Sequence, residues 1–270
     1  MGARPRWALL SIGVPREVWR SRFLEHFYEG FFALAEQYEV TLIGGDVSRT
    51  PEHIVIDSTV IGEVGRNRAV RRAGAQPGDY IFVTGALGGA AAGMRLLDGG
   101  ARPARGNRAR APNAVQQLLL RHLCPTPRVA WGILLGEKRL ATAMLDISDG
   151  LSSDLRHLCR ESGVGAELEA SRIPIDPLIA RVRGQNWDAR SLALHGGEDF
   201  ELLFTVRPRQ VARLPKEIGG VPVTHIGNIS DKVGRITITD EGGRLRVLKP
   251  AGFEHFKRER RNKSHTPASA

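Results

Sequence analysis

The sequence predicts an α+β or mixed α/β fold in two lobes. Short β-branched apolar runs alternate with segments of helical period. The alternation keeps no strict period, and no segment repeats. An arginine-rich stretch near residue 100 makes the natural break between lobes.

The elements follow in order. Trp19, Phe23, Phe27, Phe31, Leu34 and Tyr38 recur in steps of three and four, which predicts an amphipathic helix over Glu17–Tyr38. Val40–Ile43 and the β-branched Ile54–Ile61 read as strands, as does Asp79–Thr84. Gly85, Gly88, Gly89 and Gly93 then open a small-residue helix to about Leu97. Helices are predicted at Asn113–His122 and Arg128–Lys138, a strand at Thr142–Leu145, and a helix at Gly150–Arg160 that Gly163 ends. Gly165–Glu169 is a strand and Pro174–Val182 a short helix. Strands at Phe200–Val206, Val221–Ile226, Arg235–Thr239 and Leu245–Leu248 close the fold. The expected domains are 1–100 and 101–256, followed by a disordered basic tail over 257–270.

Composition excludes several classes. With 41% hydrophobic and 25% charged residues, the 270-residue chain reads as an ordinary globular protein. No apolar stretch approaches the roughly 18 residues that span a bilayer, and the N-terminus has no signal-peptide core, so a cytoplasmic protein is expected. Cys124 and Cys159 fit no metal spacing and predict no disulfide. The net charge of +10 raises nucleic-acid binding, but its location argues against it. Ala101–Arg110 carries +4 and the tail from Lys257 another +4, leaving +2 for the rest. The basic charge thus reads as solvated segments, and no nucleic-acid or membrane partner is expected.

Three acidic motifs carry the chemistry. They are Gly44-Gly45-Asp46, Asp146-Ile147-Ser148-Asp149-Gly150 and Gly196-Gly197-Glu198-Asp199. Carboxylates beside glycines at strand ends suit divalent cations held against phosphates, with backbone close to the ligand. Each has a plainer reading. Gly-Gly-Asp also makes an ordinary turn. Either Ser148 or Asp149 would serve as a helix cap, although a cap needs only one of them. Glu198 and Asp199 would alternate faces if extended, so only one need face a pocket, and the pair also reads as a solvated turn before a strand. Arg71 and Arg72 precede the turn Ala73–Asp79; an Arg there can fork onto a phosphate, although such a pair is more often simply exposed. No nucleophile elbow, Walker A loop or dinucleotide fingerprint is present. The chemistry implied is metal-assisted handling of phosphate without a covalent intermediate.

In order, Ile43–Asp46, Arg72–Gly85, Asp146–Leu151, Gly196–Leu202 and Gly252-Phe253-Glu254-His255-Phe256 closely resemble the thiamine-monophosphate kinase family. The resemblance runs from Met1 to about Phe256. It implies ATP-dependent phosphorylation of thiamine monophosphate to thiamine diphosphate. It also implies the two-domain aminoimidazole-ribonucleotide synthetase-like (PurM-like) fold, paired as a homodimer through its N-terminal domain. Position by position, Gly45, Arg72, Ser148 and Tyr28 resemble ATP contacts. Asp46, Asp146 and Asp149 resemble ligands of several Mg²⁺ ions, and Glu198 and Phe253 resemble contacts to the thiamine moiety.

One departure from the pattern is large. Met1-Gly2-Ala3 aligns with an interior Met-Gly-Ala of the family, so a glycine- and aspartate-rich nucleotide loop, a further acidic site and a substrate His lie outside the match. An incomplete N-terminal domain is therefore expected, with exposed strand edges and low solubility or activity. Two alternatives stay open: a non-catalytic nucleotide or thiamine phosphate-binding homologue, and another ATP-using member of the superfamily.

Overall fold

The computed structural model describes residues 2–104 and 113–252. Phe253, the 257–270 tail and most of the arginine stretch lie outside the described residues.

Two sheets organise the chain. The smaller holds β1 (Arg4–Val14), β2 (Thr41–Arg49) and β3 (Val55–Glu63) in the order β2-β1-β3. β1 runs parallel to β2 and antiparallel to β3. The crossover from β1 to β2 carries α1 (Arg16–Trp19) and α2 (Phe23–Gln37). The single helix expected over Glu17–Tyr38 is thus broken at Arg20–Arg22. Ser21 terminates the first piece, its hydroxyl donating to the Val18 carbonyl at 2.7 Å.

β1 has no counterpart among the expected strands, although its period-two signal is plain. Ala8, Leu10, Ile12 and Val14 are buried while Leu9 and Ser11 are exposed. Leu10, Ile12 and Val14 form a core with Phe23, Leu24, Phe27 and Phe31 of α2. The opposite face of this sheet carries Trp7 and Leu9, each exposed by more than a third, with Ile61 beside Trp7.

The larger sheet takes β4 (Tyr80–Thr84), β5 (Ala141–Asp146), β6 (Gly165–Glu169), β7 (Leu202–Val206), β9 (Val221–Ser230), β10 (Ile236–Thr239) and β11 (Leu245–Val247). Their order is β11-β10-β6-β9-β4-β7-β5, and the two-residue β8 (Glu217–Ile218) hangs off β9. The switch between sheets falls between Glu63 and Tyr80, upstream of the expected break near residue 100. The cause is strand pairing, because β4 hydrogen-bonds on both sides to strands from the far half of the chain.

Both faces of the larger sheet's centre are covered, so β4 and β7 are almost wholly apolar and buried. Ile81, Val83, Leu145 and Leu203 pack on Leu151, Leu155 and Leu158 of α6 (Leu151–Ser162). Phe82, Met144 and Phe204 face the other way, onto Trp131 and Leu135 of α5 (Val129–Glu137). A third cluster joins α3 (Gly89–Asp98), α4 (Ala114–Leu123) and α7 (Ala189–His195) through Ala92, Leu96, Leu118, Leu119 and Leu192. Side-chain caps start two of these helices: Asn113 accepts from the Gln116 N–H, and Asp188 from that of Ser191.

The helix expected at Pro174–Val182 is only a 3₁₀ turn at Ile179–Arg181. Ile175 is drawn off by a bridge to Leu87, and the Asp176 carboxylate accepts from the Leu178 N–H, which closes a turn in place of a helix.

Candidate active site

Two of the acidic motifs meet as an extension of the β5–β7 pairing. Asp146 ends β5 opposite Leu202. Beyond the strands the ladder continues. The Ile147 N–H donates to the Glu201 carbonyl at 2.8 Å, the Phe200 N–H to the Ile147 carbonyl at 2.9 Å, and the Glu198 N–H to the Ser148 carbonyl at 2.8 Å. A Cβ on Gly197 would collide with the Ser148 carbonyl, so glycine permits this approach. Glu198 and Phe200 both sit in the left-handed region, at φ 68° and 49°. Such strain in non-glycine residues costs on the order of 1–3 kcal/mol each and concentrates at functional sites.

The two acids of the third motif point apart, by this left-handed turn and not by a pleat. The Glu198 carboxylate is about half exposed, with Oε2 3.5 Å from His122 Nδ1. Asp199 turns inward and accepts from the N–H groups of Gly88 and Ala90, at 2.7 and 3.1 Å, where α3 begins. Burial pushes its carboxyl up to about 7, against the pull of those two hydrogen bonds.

Ser148 and Asp149 do not cap α6. Its N-cap is Gly150, without a side-chain hydrogen bond. The buried Asp154 instead reaches back from within the helix, and its Oδ2 accepts from the N–H groups of Ser148 and Asp149, both at 3.0 Å. Burial raises the Asp154 carboxyl to about 6; those hydrogen bonds oppose the shift, while the charges of Asp149 and Asp146 add to it.

Asp46 lies within β2, where the sequence suggested a position just past a strand. Its register partner is the exposed Ser11, and Ser48 donates to its carboxylate. Gly45 has φ 153°, and a Cβ there would strike the Leu10 carbonyl, so β2 can lie this close to β1 only with glycine. Tyr28 sits on α2 and packs into the core on the covered face, its ring 5.7 Å from Phe27 and 5.9 Å from Phe32. The small sheet therefore stands between Tyr28 and Asp46, which are not brought together. Arg72 is exposed, and its charge acts on His157 of α6. Phe253 lies outside the described residues; its neighbour Gly252 donates to Ser153 Oγ at 3.2 Å, at the start of α6.

A cleft of about 900 Å³ separates the lobes, lined by Leu34 and Tyr38 on one side and Arg128, Asp146 and Phe200 on the other. A second cavity of about 360 Å³ holds Arg121, Asp199 and Glu201. Arg128 borders both. Its guanidinium grips Glu201 with Nε–Oε2 at 2.7 Å and Nη2–Oε1 at 2.5 Å, and Thr84 donates to the same carboxylate.

Sequence reasoning did not single out His122, Arg128, Asp154 or Glu201. Glu201 follows the third acidic motif, just past Phe200; the others act through partners distant in the chain or through backbone groups. Among the described residues, no three His, Cys, Asp or Glu side chains come together to hold a metal alone. The donors present still fit Mg²⁺, which binds through one or two carboxylates and completes its shell with substrate phosphates and water. Asp146, Ser148 and Asp149 offer that oxygen set. No helix among the described residues is long and apolar enough to cross a membrane.

Comparison with known proteins agrees with the two-domain fold. Residues 1–64 match the family model described as AIR synthase related protein, N-terminal domain, and residues 76–239 match its C-terminal domain. The thiamine-monophosphate kinase of Salmonella typhimurium is 37% identical over 262 residues, covering 95% of this chain and 75% of that protein. The crystal structure of thiamine-monophosphate kinase from Stenotrophomonas maltophilia is 40% identical, with a TM-score of 0.77 over 90% of this chain and 73% of that one. AaThiL complexed with AMPPCP and TMP is 31% identical, also at a TM-score of 0.77, over 94% and 75% of the two chains.

Proposed function

The chain belongs to the thiamine-monophosphate kinase family, and on that premise we propose that it moves the γ-phosphoryl group of ATP onto thiamine monophosphate. An oxygen of the substrate's phosphate attacks the γ-phosphorus, the bond to the β-phosphate oxygen breaks, and thiamine diphosphate and ADP leave. No covalent enzyme intermediate is needed. The observation that carries the reading is the backbone ladder joining Ser148 to Glu198. It sets the proposed metal- and nucleotide-binding motif against the proposed substrate motif within one rigid turn.

Each residue has a role in this reading. Asp146 and Asp149 would hold one Mg²⁺ and Asp46, on the small sheet, a separate one; when bound, the ions screen the negative charge shared by donor and acceptor phosphates. Gly45 offers unobstructed backbone, Ser148 a hydroxyl and Arg72 a forked cation to ATP. Tyr28 is a weaker candidate for nucleotide contact, since its ring is taken up by aromatic packing. Glu198 orients the thiamine moiety, and Phe253 supplies a flat face for its cationic ring.

The working unit in this reading is a homodimer in the cytoplasm. The uncovered sheet face with Trp7, Leu9 and Ile61 supports the dimer, because monomers rarely leave contiguous apolar faces in water. Asp46 shares that face through its register with Ser11.

The test is phosphorus NMR of the chain with ATP, Mg²⁺ and thiamine monophosphate. Thiamine diphosphate and ADP should grow in equal amounts. A chain that binds ATP but forms neither product would overturn the reading.

A further inference from the structure

We propose that Asp154 is a positioning residue of the metal-binding loop, holding Ser148 and Asp149 by their backbone so that their side chains stay free for ligands. The inference rests on the reading of Asp146 and Asp149 as Mg²⁺ ligands.

A loop entering a helix has N–H groups to satisfy, and a Ser or Asp side chain at the cap usually takes one of them. In this loop neither Ser148 nor Asp149 does so. One oxygen of Asp154 accepts both of their N–H groups at 3.0 Å. Asp154 is 3% exposed, so the contact is shielded from water. Its backbone is equally fixed, because Leu151, Leu155 and Leu158 on the same helix are fully buried in the main core. The Asp154 N–H is taken by the Gly150 carbonyl, which closes the first turn beneath the loop. On the far side, the Ser148 carbonyl is held by the Glu198 N–H. The loop is therefore clamped from both sides by its own backbone groups, on one side to the Asp154 carboxylate and on the other to the Glu198 N–H. Neither the Ser148 nor the Asp149 side chain is drawn into capping the helix, so both remain available.

The test uses Mn²⁺ as probe, with free ion read by electron paramagnetic resonance in the presence of a non-hydrolysable ATP analogue. Asp154→Ala should weaken Mn²⁺ binding by about tenfold or more, the usual cost of losing a partner that orients metal ligands. Asp154→Asn keeps an oxygen in the same place and should recover most of that loss. Leu158→Ala, which loosens the same helix without touching the loop, should leave the affinity near wild type. Equal weakening by Asp154→Ala and Leu158→Ala would overturn the inference, as would an unchanged affinity in Asp154→Ala. A measurement on the wild-type chain guards against a variant that does not fold: the Ser148 and Asp149 amides should exchange slowly with solvent before any metal is added, and fast exchange would overturn the inference. The kinase reading fails separately. A chain that binds Mn²⁺ with this dependence on Asp154, yet makes no thiamine diphosphate, loses its substrate and keeps this role. A wild-type chain that takes up no Mn²⁺ with nucleotide loses both.

Discussion

Arg128 and Glu201 form a two-pronged ion pair with side chains only 10% and 4% exposed, in the wall between the two cavities. Removing one partner strands the other charge away from water. Arg128→Ala should therefore cost about 3–5 kcal/mol, measured by urea unfolding. A double replacement by apolar residues of similar volume, such as Arg128→Met with Glu201→Leu, should cost much less than the single change. A loss below about 1 kcal/mol for Arg128→Ala would show that water reaches the pair.

Asp199 makes stability depend on pH, with a definite sign. Its carboxyl is raised to about 7 in the fold, from 3.8. Between those values the folded chain binds more protons than the unfolded one, so stability falls as pH rises through about 7. Asp154, raised to about 6, acts in the same direction. His157 and His195 are held below their ordinary value, mainly by burial, and oppose the trend near pH 6. The difference between wild type and Asp199→Asn isolates the one group. The melting temperature of the variant should fall less between pH 5 and pH 8, and equal slopes would count against a neutral Asp199.

Glu198 should discriminate between substrates. Glu198→Ala is expected to raise KM for thiamine monophosphate by about tenfold, in line with the loss of one charged hydrogen bond. KM for ATP should change little. Steady-state kinetics with each substrate varied in turn checks the split. A matching rise in KM for ATP would place Glu198 outside the thiamine pocket.

The proposed metal ligands should be indispensable. Asp146→Asn and Asp149→Asn should each lower kcat by about 100-fold or more, the scale on which fixed charge stabilises such a transition state. EDTA should abolish turnover, and excess Mg²⁺ should restore it. Full activity after EDTA treatment would remove the metal from the mechanism.

The uncovered face of the small sheet should carry the dimer. Leu9→Glu puts a charge at its centre, since β1 is the middle strand. Light scattering coupled to size exclusion should then show a shift from dimer to monomer with the melting transition of the larger lobe unchanged. A wild-type monomer at micromolar concentration would end the proposal.

The sequence revealed residues better than it revealed their meetings. Ser148 and Glu198 each sit in a short motif that stands out by residue type, but their hydrogen bond depends on β5 pairing with β7 across intervening elements. Long-range register of that kind leaves no local trace. The β-branched and aromatic runs of β4 and β7 were legible because both faces are buried. β1 gives a weak strand signal although Leu10, Ile12 and Val14 alternate cleanly, because Arg4 and Arg6 interrupt its first residues. Asp154 stayed invisible for another reason: its partners are backbone N–H groups, which every residue but proline supplies.

The place of β9 constrains how this molecule comes into being. It lies between β4 and β6, yet it is among the last strands to leave the ribosome. Until about Ser230 has emerged, β4 with β7 and β5 on one side, and β6 on the other, have no common strand to join them. Folding of the larger lobe should therefore be a late, nearly all-or-none event, slow for its size because its central contacts span most of the chain. A nascent chain stalled before that point holds two open strand edges where the finished one holds a seam, and those are the edges a chaperone would be expected to shield during synthesis.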